Sequence, residues 1–139
     1  MKKIIAIFLL TSTLISCDDK NDTVDVLIGK WIPQTIIING ESIAYTGHTN
    51  CGQDFIHLNN YNTFEIVNYI DLSVTDVDCP FEKYYGSYTL LNNELKLQGS
   101  NFFQGGLIIE KTSNILKLQR NIDVDGDGKQ DEVVEVFTR

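Results

Sequence analysis

From Gly29 onward, apolar residues come in short runs rich in Ile, Val, Phe, Tyr and Thr, which Asn, Gly, Asp or Ser interrupts about every eight to twelve residues. No stretch sustains the periodicity of an amphipathic helix. Alternation with period two is visible instead: Leu95 and Leu97 interleave with Glu94 and Lys96, and Leu116 and Leu118 with Lys117 and Gln119. Such strands have one buried and one wet face. The pattern predicts eight strands, near residues 29–38, 53–58, 63–70, 83–90, 94–98, 107–111, 115–121 and 132–138. Turn signals at Asn59-Asn60-Tyr61-Asn62, Asn92-Asn93 and Thr112-Ser113-Asn114 make neighbouring strands antiparallel, because Asn tolerates the left-handed backbone of tight turns. A sheet wet on one face closes on itself or packs on another, so the expected fold is all-β. Pro33 cannot donate to a ladder and marks a bulge, bend or edge in the first strand. Residues 40–52, 71–81 and 99–106 are read as loops. In the last of these, Phe102-Phe103 is either a lid or contact patch or a plug over the core.

The opening of the chain carries a different signal. Lys2-Lys3, an apolar run over residues 4–10 and then Leu14-Ile15-Ser16-Cys17 resemble a bacterial lipoprotein signal peptide with its lipobox. The apolar segment is too short to span a bilayer stably. The resemblance implies that Cys17 takes a diacylglyceryl group, that residues 1–16 are removed and that the new amino terminus is acylated, for instance with palmitate. Residues 17–26 then read as lipidated Cys and flexible tether, with 18–25 polar and acidic and without periodic apolar residues, and residues 27–139 as one domain. The outer membrane is the expected destination, with the periplasmic and surface faces both open.

Charge and cysteines sharpen this picture. Losing Lys2 and Lys3 with the signal peptide leaves 9 basic against 19 acidic residues, a net charge of −10 in place of −8. Nucleic acid is excluded as a partner, since no basic stripe is available for a phosphate backbone. Membrane attachment therefore falls to the acyl chains. Of three cysteines, lipidation removes Cys17 from the thiol count, leaving Cys51 and Cys79 as a pair in an oxidising compartment. A disulfide between them is expected, with two buried free thiols as the alternative.

Gly29-Lys30-Trp31 is similar to the glycine–any–tryptophan signature at the first strand of lipocalins, and Gly86-Ser87-Tyr88 echoes it. With the Cys51/Cys79 pair, the eight strands and the final Val136-Phe137-Thr138-Arg139, the domain resembles the compact lipocalin-like lipoproteins of Bacteroidota, although it shows no second lipocalin motif. The resemblance implies an eight-stranded up-and-down barrel, plugged at its closed end by Trp31, with Gly29 permitting close backbone approach. It also implies a basic side chain over the tryptophan, Arg139 or Arg120. The mouth would accept a small apolar ligand, and Phe55, Phe64, Ile66 and Tyr88 are the expected lining. The competing expectation is a filled barrel that acts as a structural or interaction protein of the envelope.

Asp123-Val124-Asp125-Gly126-Asp127-Gly128-Lys129-Gln130-Asp131 places carboxylates at positions one, three, five and nine around a glycine at six. Calcium takes such hard oxygen ligands from a curled backbone, with the Lys129 carbonyl available at position seven. A helix–loop–helix hand needs Glu at position twelve, where Val134 stands. The segment resembles instead the calcium loops that join strands in extracellular repeat proteins. The alternative is a solvated Asp-Gly turn. No enzyme is expected: His48 and His57 hold no ligand spacing, Asp71, Asp76 and Asp78 are irregularly placed, and no phosphate loop, metalloprotease pair or nucleophile elbow occurs.

Overall fold

The computed structural model describes residues 26–46, 51–70 and 79–139. The expected signal peptide, Cys17 and the expected tether up to residue 25, as well as His48, Asp71, Asp76 and Asp78, lie outside the described residues.

Nine strands follow one another: β1 (Gly29–Ile38), β2 (Glu41–Ala44), β3 (Phe55–Leu58), β4 (Thr63–Tyr69), β5 (Phe81–Leu91), β6 (Glu94–Gln98), β7 (Gly105–Lys111), β8 (Ile115–Ile122) and β9 (Asp131–Thr138). Each pairs antiparallel with its neighbour in the order β2-β1-β3-β4-β5-β6-β7-β8-β9, and β1 also pairs with β9. That last pairing closes β1 and β3 to β9 into an eight-stranded antiparallel barrel, the all-β architecture that the alternation predicts. All eight predicted strands are present, with ends displaced by a few residues. The loop expected over 40–52 is corrected: it contains β2, which folds back on β1 through Asn39-Gly40. Those two residues have φ of 49° and 87°, the positive values of a two-residue hairpin turn. β2 escaped the pattern because all four of its residues are exposed and show no alternation. The Asn92-Asn93 turn uses the same chemistry, with φ of 52° and 63°.

β1 is divided along its length. One edge pairs with β9 from Ile32 to Ile38, while the other pairs with β3 over Gly29, Lys30 and Trp31 and with β2 from Thr35 to Ile38. Past Trp31, therefore, β1 and β3 part company. The register of β1 against β9 shifts between Pro33 and Thr35, a bulge next to the residue that lacks an N–H.

The turns β3–β4, β5–β6 and β7–β8, together with the entry to β1, lie at one end of the barrel, and the other connections lie at the opposite end. The entry end is packed solid. Leu27, Trp31, Leu58 and Leu118 are fully buried there or just above, with Phe64, Leu116 and Tyr88 around them. Trp31 Nε1 donates to the Leu27 carbonyl at 2.8 Å, and the Tyr88 hydroxyl donates to the Asn59 carbonyl at 2.7 Å, so both aromatic polar groups are satisfied. At the same end the Arg139 guanidinium lies 4.1 Å from the Trp31 ring centroid and donates through Nη2 to the Val26 and Ile28 carbonyls. Gly29 has φ of 134°, and a Cβ there would meet Arg139 Cζ at 3.3 Å. The glycine thus makes room for the guanidinium. Of the two candidate cations for Trp31, Arg139 takes the position.

Candidate functional site

At the end opposite Trp31, a cavity of about 80 Å³ occupies the region where β1 and β3 separate. Pro33, Thr35 and Ile36 of β1, Phe55 and Ile56 of β3, Ile66 and Val67 of β4, and Phe137 of β9 supply most of its wall. Phe102 and Phe103 of the 99–104 connection complete the apolar lining. These two neighbours, read in sequence as either lid or plug, divide the roles. Phe103 is buried edge-on against Phe137, centroids 6.0 Å apart, whereas Phe102 is half exposed and stacks on Tyr84 at 5.7 Å. Ser100 holds the pair in place, its buried hydroxyl accepting from the Phe102 and Phe103 amides.

Besides Thr35, three polar side chains line the cavity: Tyr45, Asp54 and Glu135. Tyr45 follows β2 directly, and Asp54 immediately precedes β3, so both reach into the gap that the divided β1 leaves. The Tyr45 hydroxyl donates to Asp54 Oδ2, and the Tyr69 amide donates to Asp54 Oδ1 at 2.7 Å. Burial first, then the hydrogen bond to Asp54 and its charge, hold the Tyr45 hydroxyl protonated far above its ordinary range. Cys51 and Cys79 form a disulfide, with Cα atoms 5.2 Å apart, which ties the segment leading to Asp54 to the one leading to β5.

Glu135 faces inward on the same side of β9 as Phe137. Arg120, on β8, donates through Nη2 to Glu135 Oε1 at 2.8 Å, and its guanidinium carbon lies 4.9 Å from the Phe103 centroid. Their side chains are 22% and 17% exposed for Arg120 and Glu135, so the pair is largely removed from water. Glu135 Oε2 and Arg120 Nε are buried without a hydrogen-bond partner. Burial pushes the Glu135 carboxyl above the usual carboxylate range, and the Arg120 charge and hydrogen bond only partly oppose this.

Of the expected lining residues, Phe55 and Ile66 border the cavity, while Phe64 and Tyr88 lie deeper, 2% and 3% exposed in the packed core. Sequence reading missed Tyr45, Asp54 and Glu135. Glu135 carried a usable signal, since with period two it shares a face with Phe137. Asp54 and Tyr45 carried none, because their placement depends on the short β2.

A second group of candidate ligands sits in the β8–β9 connection. One carboxylate oxygen from each of Asp123, Asp125 and Asp131 lies within 4.8 Å of the others. Asp123 accepts from the Gly126 and Gly128 amides at 2.7 and 2.9 Å, and Asp131 accepts from the Val124 amide and Asn39 Nδ2 at 3.0 and 2.6 Å. These donors, the Val124 amide foremost, hold the Asp131 carboxyl below its ordinary range. Asp127 stands apart from the three and pairs with Lys129, whose Nζ lies 2.9 Å from its Oδ2. His57, on β3, is exposed.

No protein-family model and no curated protein matches the chain. Among solved structures, a chain titled "Odorant Binding Protein OBP1" matches with a TM-score of 0.45 and 18% identity, covering 83% of this chain and 72% of that one. At that level of similarity the match carries no conclusion about ligand or activity, and the architecture rests on the strand pairing described above.

Proposed function

We propose that the chain is a lipocalin-like envelope lipoprotein of Bacteroidota type, anchored in the outer membrane through lipid on Cys17, whose barrel binds a small apolar ligand and does no chemistry on it. The observation that carries the binding role is the cavity. It collects Ile36, Ile56, Ile66, Phe103 and Phe137 around a cavity at the end away from Trp31. Native mass spectrometry of the purified full chain, with an apolar dye-binding assay beside it, tests this role. A retained small molecule or displaceable dye is the expected result, and a bare mass with no dye uptake refutes it. The anchor is tested by labelling cells with palmitate, where Cys17→Ser should abolish incorporation.

A second reading is favoured by the cavity's size. About 80 Å³ falls well below the roughly 300–1,000 Å³ of ordinary ligand pockets. A barrel this full also suits an interaction protein that uses its loops, and the refuting result above selects it.

We further propose that Asp123, Asp125 and Asp131 hold calcium, with Asp127 and the Lys129 carbonyl as additional oxygens, so that the metal clamps the β8–β9 hairpin. Three converging carboxylates support this, and the affinity expected of extracellular modules is about 10⁻⁴–10⁻³ M. Isothermal titration with calcium should give heat that Asp123→Asn removes. Absence of heat, together with a melting temperature unchanged by chelator, ends the proposal.

A further inference from the structure

We infer that Phe103 is a built-in stand-in for the ligand: the barrel takes a small apolar molecule bearing a neutral aromatic ring, seated where the Phe103 ring now lies, and the 99–104 connection withdraws to admit it. This deepens the proposed binding role and rests on it.

The apolar wall of the cavity comes from two sources. Ile36, Ile56, Ile66 and Phe137 are fixed by the strand ladders, whereas Phe102 and Phe103 belong to a connection. That connection is clamped at its ends and lightly held between them. Gly99 and Gly105, with φ of 110° and 92°, lie so close to β5 and β6 that a Cβ at either would collide with the Tyr85 or the Leu95 carbonyl oxygen. Between these clamps, among the described residues, the hydrogen bonds that hold it run from the Leu97 amide to the Gln104 carbonyl at 3.0 Å, and from the Phe102 and Phe103 amides to Ser100 Oγ at 3.1 and 3.2 Å. Phe103 is nonetheless buried, 5% exposed.

The cavity's volume, about 80 Å³, is about half that of an engineered cavity of roughly 150 Å³ that holds benzene, so a ring does not fit beside Phe103. Exchanging one ring for another removes that limit. The apolar area that the ligand buries replaces what Phe103 gives up, and any part of the ligand that reaches into the existing cavity adds to it. The seat is also made for a ring. Arg120 Cζ lies 4.9 Å from the Phe103 centroid, and the Phe137 ring meets Phe103 edge-on at 6.0 Å. Both contacts favour an aromatic occupant over a saturated one of the same size. The Arg120 guanidinium stays bonded to Glu135, so it serves the ring as a fixed neighbour and requires no charge on the ligand.

The test compares 2-phenylethanol with 2-cyclohexylethanol on the full chain, through the methyl NMR shifts of Ile36, Ile56 and Ile66 and the amide exchange of Phe102 and Phe103. The phenyl probe should bind at least about threefold more tightly, although the cyclohexyl probe is the more hydrophobic. Its binding should also speed exchange of both amides as they leave Ser100. Ser100→Ala loosens the connection without touching the cavity wall, and by raising the fraction of chains with an open seat it should tighten phenyl-probe binding by about fivefold. A merely structural Ser100 would not tighten binding when removed. Equal or tighter binding of the cyclohexyl probe overturns the aromatic selection, and unaltered amide exchange on binding, or an affinity that Ser100→Ala fails to raise, overturns the displacement of Phe103; in each case the apolar binding role stands. Failure of both probes to shift any of the three methyls removes the binding role itself, and the inference with it. The wild-type comparison decides the matter even where the variant does not fold.

Discussion

Replacing Arg139 by alanine should destabilise the domain by about 2–4 kcal/mol. The guanidinium makes three contacts at the entry end: one over the Trp31 ring at 4.1 Å, and two hydrogen bonds from Nη2 to the Val26 and Ile28 carbonyls. A cation over an aromatic ring contributes about 0.5–1 kcal/mol where the cation is exposed, as Arg139 is, although the Trp31 ring beneath it is buried. Hydrogen bonds from a charged donor contribute about 1.5–3 kcal/mol when well shielded, but Arg139 is itself exposed, so the two together are counted at that value once. Arg139→Lys keeps the charge and loses the forked donor geometry, and should fall about midway. The assay is urea unfolding. With m near 1.5 kcal/mol/M, the midpoint of Arg139→Ala should drop by about 1.3–2.7 M at unchanged m. A Trp31→Phe, Arg139→Ala cycle should show coupling of about 0.5 kcal/mol or more. A midpoint within about 0.3 M of the wild type would refute the claim that Arg139 latches the entry end to Trp31.

Three other expectations are simpler to check. Cys51→Ser with Cys79→Ser opens a loop with a sequence separation of 28, and should lower stability by about 3–4 kcal/mol in a urea or thermal melt under non-reducing conditions. Gly86→Ala should destabilise by more than about 2 kcal/mol and shift the β5–β6 amide resonances, because a Cβ there would lie 1.9 Å from the Gln98 carbonyl oxygen and 2.8 Å from Phe64. Glu135 gives a pH signature: its folded pKa is raised, so the native state binds the proton more tightly than the unfolded chain, and stability falls as pH climbs from the ordinary glutamate value of 4.5 to the raised one. Subtracting Glu135→Gln melts from wild-type melts across pH 4 to 8 should show that decline, and a flat difference would contradict it.

How much of this was legible in the chain depends on which interactions decided each element. Alternation such as Leu95/Leu97 against Glu94/Lys96 marked strands directly, since a sheet with one wet face leaves that imprint on every second residue. β2 left no imprint, because it is held by backbone pairing to β1 and buries nothing. The entry end was readable from Gly29, Trp31 and a late arginine, although the choice between Arg139 and Arg120 needed the register of β8 and β9 to turn Arg120 toward Glu135. The cavity was only half readable. Phe55 and Ile66 follow from strand position, whereas Tyr45 and Asp54 come together across a gap that exists because β1 changes partners midway.

The seam between β1 and β9 has a kinetic consequence. It joins the beginning and the end of the domain, with Arg139 bonded to a carbonyl 113 positions earlier. Contacts of such long range are slow to form, because a large loop must be ordered before they contribute. The seam is therefore expected to zip late in folding. A chain that has not yet released its final residues would carry two open strand edges, β1 and β8, each a template for pairing with another chain. The hazardous interval runs from synthesis of β1 until β9 docks, and a chaperone that shields those edges would matter most then.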